Sequence, residues 1–238
     1  FNTNGWLLTA DRAAAIADSG VSIVYVSMDG IRKSTIDHSR GREGSLEKVM
    51  AALDLLRVHE SPRVVLACIL HAGNVDEIPE LLEFVRSHGL QVVFQPLYQN
   101  FGEVEYDPDW WKSSALWPGN SEAIGRLRSC LDALSVERLR GGPICNSVAQ
   151  LQAMKLYFEQ PDRDSRHLCR AGHSDLSFDP HGNIRLCYFL EPVGSMFDTT
   201  PLPLQWDSWT ALRRRWEVSR CERHCNLLNC NFDREGQA

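Results

Sequence analysis

The chain has 238 residues, 43% of them hydrophobic, and a net charge of −6. It is long enough to bury a real core, and its acidic balance gives no support for a nucleic-acid or anionic-membrane surface. No apolar run approaches the roughly 20 residues of a membrane span and no signal peptide is visible, so the cytoplasm is the expected compartment. Thiols stay reduced there, and the eight cysteines are expected as free or metal-bound groups rather than disulfides.

Phe1 to Gly5 (FNTNG) reads as the tail of a strand, and with no initiator Met the chain is expected to be part of a longer protein. Thr9 is placed to cap a helix running to about Asp18, Gly20 to stop it, and Ser22 to Ser27 to form a strand. Ser45 then caps a second helix, in which Leu46, Val49, Met50, Leu53 and Leu56 share a face, and RVVLACIL (Arg63 to Leu70) is the strand after it. A third helix carries Ile78, Leu81, Leu82 and Val85 on one face, stops at Gly89, and leads into the strand LQVVFQPL. Repeated helix–strand units with nearly continuous apolar strands specify an α/β fold with a parallel sheet. In such folds the chemistry sits in loops at the strand carboxyl ends, which here hold Thr3 to Gly5, Ser27, Asp29, His71, Asn74, Gln95 and Gln99.

From Asn100 the pattern loosens into an aromatic loop, in which Trp110, Trp111 and Trp117 read as anchors. Helices are expected from Glu122 to Leu139, with Leu127, Leu131 and Leu134 facing the core, and from Ser147 to Phe158. The cysteine-rich part follows, giving two regions, 1–145 and 146–238. LSFDPHGNIRLC reads as a hairpin turning at Asp179 to Gly182, which sets Cys187 opposite about Asp175 and within reach of Cys169. A helix with Trp209, Leu212 and Trp216 leads to Cys221, Cys225 and Cys230. Five cysteines in two pieces of chain make a candidate metal site, with His167 and His224 as alternative ligands. Spacing alone leaves zinc and an iron-sulfur cluster both open. Cys68 and Cys130 read as buried thiols, and Cys145 is a weaker ligand candidate.

Together, TNG at Thr3 to Gly5, SMDG at Ser27 to Gly30, DHSRGREGSLEKV at Asp37 to Val49, ILHAGN ending at Asn74, and Cys169, Gly182 and Cys187 resemble the radical S-adenosylmethionine (radical SAM) enzymes with a C-terminal SPASM or twitch extension. The resemblance implies a partial parallel (β/α) barrel over 1–145 and, over 146–238, a small hairpin and helix extension holding one auxiliary 4Fe-4S cluster. It favours iron-sulfur over zinc, with Cys169, Cys187 and Cys225 as ligands and Cys221 and Cys230 competing for the remaining place. It implies that Ser27 and Asp29 face the ribose or carboxylate of SAM, that Arg40 approaches its carboxylate, and that Asn74 is either a ligand contact or a helix N-cap.

The family's catalytic 4Fe-4S cluster sits in a CxxxCxxC loop, and this sequence contains no such motif. The resemblance therefore implies an enzyme whose cluster loop lies upstream, and a chain inactive by itself. Its implied substrate is a peptide or small molecule, and its implied partner an electron donor such as flavodoxin or ferredoxin, with no nucleic acid and no membrane. Two other functions compete: a non-catalytic zinc- or iron-sulfur-binding protein, and a peptide-binding module.

Overall fold

The computed structural model describes residues 1–99, 105–162, 169–173 and 175–223. The chain divides into two compact units. The first, Phe1–Leu97 with Ala115–Glu159, is built on four parallel strands in sequential order: β1 (Asn2–Thr3), β2 (Ile23–Ser27), β3 (Arg63–Leu70) and β4 (Gln91–Pro96). Helices α1 (Ala10–Asp18), α2 (Lys33–Arg40), α3 (Ser45–Arg57) and α4 (Ile78–Ser87) make the connections. Parallel strands need such crossovers, because a tight turn cannot return the chain to the same end of the sheet. The register pairs Val26 with Leu66 and Leu66 with Val92, and these side chains form the core with Leu53, Leu56, Leu81 and Val85.

Local chemistry sets most boundaries. The Thr9 hydroxyl accepts the Arg12 amide as N-cap of α1, and Gly20 takes the left-handed conformation just beyond it. Two features depart from expectation. Helix α2 was not expected, because its sequence KSTIDHSR has one buried residue, Ile36, and so no periodicity. Its Asp37 accepts the amides of Gly44 and Ser45 at 3.2 and 2.8 Å. The acceptor for the start of α3 therefore comes from Asp37, and Ser45 is the first helical residue behind a Gly44 N-cap rather than the cap itself.

After the short helix α5 (Trp110–Ser113), helices α6 (Ser121–Leu139) and α7 (Val148–Glu159) complete the first unit. Leu127, Leu131 and Leu134 are buried as expected, and Trp117 packs edge-on to Tyr157. Helix α7 belongs to this unit.

The second unit, Tyr98–Ser114 with 160–238, contains an antiparallel sheet of β5 (Ser177–Phe178), β6 (Asn183–Arg185) and β7 (Gly194–Ser195), followed by α8 (Leu202–Trp206) and α9 (Trp209–Ser219). Ser177 pairs with Arg185 and Phe178 with Ile184, the register expected of the hairpin. The Asp179 carboxylate accepts the amides of His181 and Asn183, and Gly182 has φ of +78°, where a Cβ would lie 2.5 Å from the Phe197 ring. Strand β7 and helix α8 were not expected; each is short and lacks a complete period of apolar residues. No helix among the described residues is long and apolar enough to cross a membrane.

Candidate functional site

The carboxyl end of β2 carries Ser27, Met28 and Asp29. The Met28 amide continues the ladder to the Ala67 carbonyl, which turns Asp29 into the interior. One Asp29 oxygen accepts the Ile69 amide at 2.9 Å. The other lies 2.6 Å from Arg40 Nη2 and accepts the Ser39 hydroxyl at 3.4 Å. Arg40 occupies the last turn of α2, where left-handed Gly41 ends the helix. The two residues thus meet each other, and the carboxylate fixes the guanidinium at the sheet end. The Ser27 hydroxyl makes no hydrogen bond to a described residue.

Asn74 is fully buried and works as a staple. Its Nδ2 donates to the carbonyls of Asp29 and Ile69, and its Oδ1 accepts the His71 amide at 3.0 Å. It precedes the 3-10 turn Val75–Glu77, but its side chain does not cap that turn. Asn74 therefore stands at the N-cap position of the turn while its side chain is spent on the strand ends. Next to it, buried His71 accepts the Gly73 amide on Nδ1 at 3.1 Å, which leaves the proton on Nε2. Burial lowers the His71 pKa, and Nε2 has no acceptor among the described residues. A neutral imidazole thus holds one buried donor ready for an acceptor.

Glu77 was not singled out from the sequence. It is buried, accepts the Ile31 and Arg32 amides at 3.0 Å each, and accepts the Thr35 hydroxyl. Burial alone would raise its pKa, but these donors, led by Thr35, outweigh it and the net shift is downward. It holds the start of α2, whose N-cap residue Arg32 makes no side-chain cap. Gly30 leaves the room required, since a Cβ there would sit 2.8 Å from Glu77 Oε2. Neither local pattern nor spacing marks a contact 46 residues apart.

Beside the β1 loop, Asn4, Trp6, Arg40, Arg42, Ser45 and Val49 line a cavity of about 330 Å³. The Arg42 guanidinium stacks 3.5 Å from the Trp6 ring centroid. Two guanidinium groups facing one cavity suit a carboxylate ligand. Gln95 lies in β4, while Gln99 is occupied in its own loop, donating to the Glu105 carbonyl and accepting the Asp107 amide.

The cysteines separate by unit. Cys68, Cys130 and Cys145 lie in the first, and burial raises all three thiols, Cys130 to about 12. Cys145 packs against Gln91, with its amide donating to the Val92 carbonyl. Cys169, Cys187 and Cys221 lie in the second, partly buried and free of disulfides. Cys169 and Cys187 pack against Ala171 and Val218 in an apolar cluster with Tyr188, Phe189 and Leu190. Burial raises both thiols, and charge on Cys221 would raise each further, so the three sulfurs lie within electrostatic reach of one another. Among the described residues no trio of His, Cys, Asp or Glu is arranged to hold a single metal ion. Cys225, Cys230, His167 and His224 lie outside the described residues.

Residues 1–85 match the family profile described as the Radical SAM superfamily. The AdoMet-dependent heme synthase of Methanosarcina barkeri is 31% identical over 87 residues, which is 37% of this chain and 25% of that protein. The fold is similar to that of native anSMEcpe with bound AdoMet (TM-score 0.55, 15% identity, 94% of this chain and 63% of the other). It is also similar to that of SuiB from Streptococcus suis (TM-score 0.56, 12% identity, 96% and 54%). At these identities the two structures speak for the fold alone, and the match to the heme synthase spans about a quarter of its length. The profile match spans the strand ends just described and agrees with the parallel (β/α) fold: the first 85 residues of this chain are similar to the radical SAM superfamily.

Proposed function

We propose that this chain is part of a radical SAM enzyme that modifies a peptide or small molecule, binding SAM at its strand ends and one auxiliary 4Fe-4S cluster in its second unit. The observation that carries the reading is the Asp29–Arg40 pair beside a cavity with a second guanidinium. In this reading Arg40, held by Asp29, receives the SAM carboxylate, Ser27 offers its free hydroxyl to SAM, and Asn74 acts by fixing the strand ends. Bound SAM and a reduced cluster supply the radical chemistry. With no CxxxCxxC motif in this sequence, the chain is proposed not to cleave SAM by itself. The auxiliary cluster takes Cys169 and Cys187, completed by two of Cys221, Cys225 and Cys230, and an electron carrier such as flavodoxin or ferredoxin is the proposed redox partner.

Two measurements test this. Anaerobic reconstitution is expected to load about four irons and matching sulfide per chain, lost on Cys169→Ala or Cys187→Ala. Stoichiometric zinc without sulfide would refute the cluster. SAM titrated into the chain is expected to bind about tenfold more weakly after Arg40→Ala, consistent with loss of a charge-assisted contact. Equal affinity of the two proteins would remove Arg40 from the site.

A further inference from the structure

Helix α9 buries one face and leaves the other open. Ala211 and Val218 are buried within the second unit. Trp209, Leu212 and Trp216, spaced i, i+3 and i+7 on the opposite face, are 87%, 47% and 57% exposed. Burying side chains of this size is favourable, a gain left open by their exposure. Aromatic and arginine side chains are what interface centres favour.

The charge on this helix is opposite to that of the chain. Arg213, Arg214, Arg215 and Arg220 stand against a single acid, Glu217, in a protein of net charge −6. Arg214 binds both Glu217 oxygens, at 2.9 and 2.7 Å, and Arg213 reaches it only through Nε at 3.1 Å. The outer end of the Arg213 guanidinium therefore remains available, on a side chain 76% exposed. Arg220 stacks on Trp216 at 4.6 Å and extends the same face. The helix ends at Ser219, two residues before Cys221, and its Val218 packs with Cys169 and Cys187.

We propose that the Trp209–Leu212–Trp216 face, flanked by Arg213 and Arg220, docks a small acidic electron-carrier protein on the helix whose opposite, buried face packs with the candidate cluster thiols. The identity of the partner rests on the auxiliary-cluster reading above; the docking face rests on exposure and charge. Redox encounters use small, weak interfaces, and a cationic rim around an aromatic centre attracts an acidic carrier and orients it.

The test titrates purified flavodoxin, and separately ferredoxin, into the full chain with and without reconstituted iron and sulfide. Binding is expected in the micromolar range and to weaken as salt rises from about 50 to about 300 mM. Trp216→Ala, and Arg213→Glu with Arg220→Glu, are each expected to lower affinity about tenfold or more, with circular dichroism unchanged because these side chains are exposed. No binding of either carrier, or binding that the variants leave intact, overturns the proposal. So does binding of the same face to vesicles of anionic phospholipid, or a dimer that the same variants dissociate. If the chain takes up no iron and sulfide while variant-sensitive docking persists, the surface stands and the cluster reading falls. If the cluster loads and the variants change nothing, the surface alone falls.

Discussion

The Arg40 guanidinium lies 2.6 Å from the Asp29 carboxylate, joining the last turn of α2 to the end of β2. Because Asp29 also accepts the Ile69 amide, one buried carboxylate holds both a neighbouring strand and a cation. Asp29→Ala leaves the amide and much of the charge unpaired and is expected to destabilise the chain by about 3 kcal/mol. Asp29→Asn keeps an acceptor for Ile69 and should cost about 1–2 kcal/mol. Urea unfolding of the two variants checks the order, and equal losses would contradict it.

Asn74 donates to two buried carbonyls and accepts one buried amide. Asn74→Asp removes both donors and points a carboxylate at the carbonyls, so near neutral pH it should lose about 3 kcal/mol or more. Burial beside carbonyls raises that new carboxyl's pKa, so the variant should recover part of its stability as the pH falls toward about 5 and an O–H donor returns. Asn74→Ala has no such group, and its deficit should stay constant over the same range.

Glu77 has a pKa below its ordinary 4.5 in the folded chain. Its ionised form is therefore favoured by folding, and the stabilisation is complete above about pH 4.5 and declines as the pH falls through the lowered folded value. The stability gap between the native chain and Glu77→Gln should be about 1–2 kcal/mol near pH 7 and narrow by about pH 3.5. A gap that widens on acidification would show that the carboxylate is not the stabilised form.

Cysteine reactivity should divide by environment. Cys68 is fully buried and the Cys130 pKa is about 12, so alkylation of the native chain near pH 8 should leave both unmodified. Cys169, Cys187 and Cys221 are partly exposed and should be modified first. Mass spectrometry of the labelled peptides reads the order directly, and prior loading with iron and sulfide should protect Cys169 and Cys187.

Much of the first unit was legible because strand and helix periods differ. RVVLACIL is a strand over the expected Arg63–Leu70, and the Leu127, Leu131 and Leu134 stripe faces the core of its helix. Helix α2 was not legible, since a polar helix held by Asp37 and Glu77 through contacts at its ends shows no apolar stripe. The spacing of Trp209, Leu212 and Trp216 announced a helix correctly, yet could not say that this face stays in water. Periodicity reports which side chains align, and only the packing of neighbouring elements determines whether something covers them.

By itself, the sequence determined the order of the strands and helices that carry an apolar period, the hairpin register and the residues gathered at strand ends, because turn chemistry and apolar period are local. The tertiary structure decided how those residues are used. It paired Asp29 with Arg40, spent the Asn74 side chain on two carbonyls rather than on a cap bond, brought Glu77 under α2, and left the His71 Nε2 proton without an acceptor among the described residues. Each of these relations joins groups that are distant in the chain or depends on burial, and neither property is written in residue spacing.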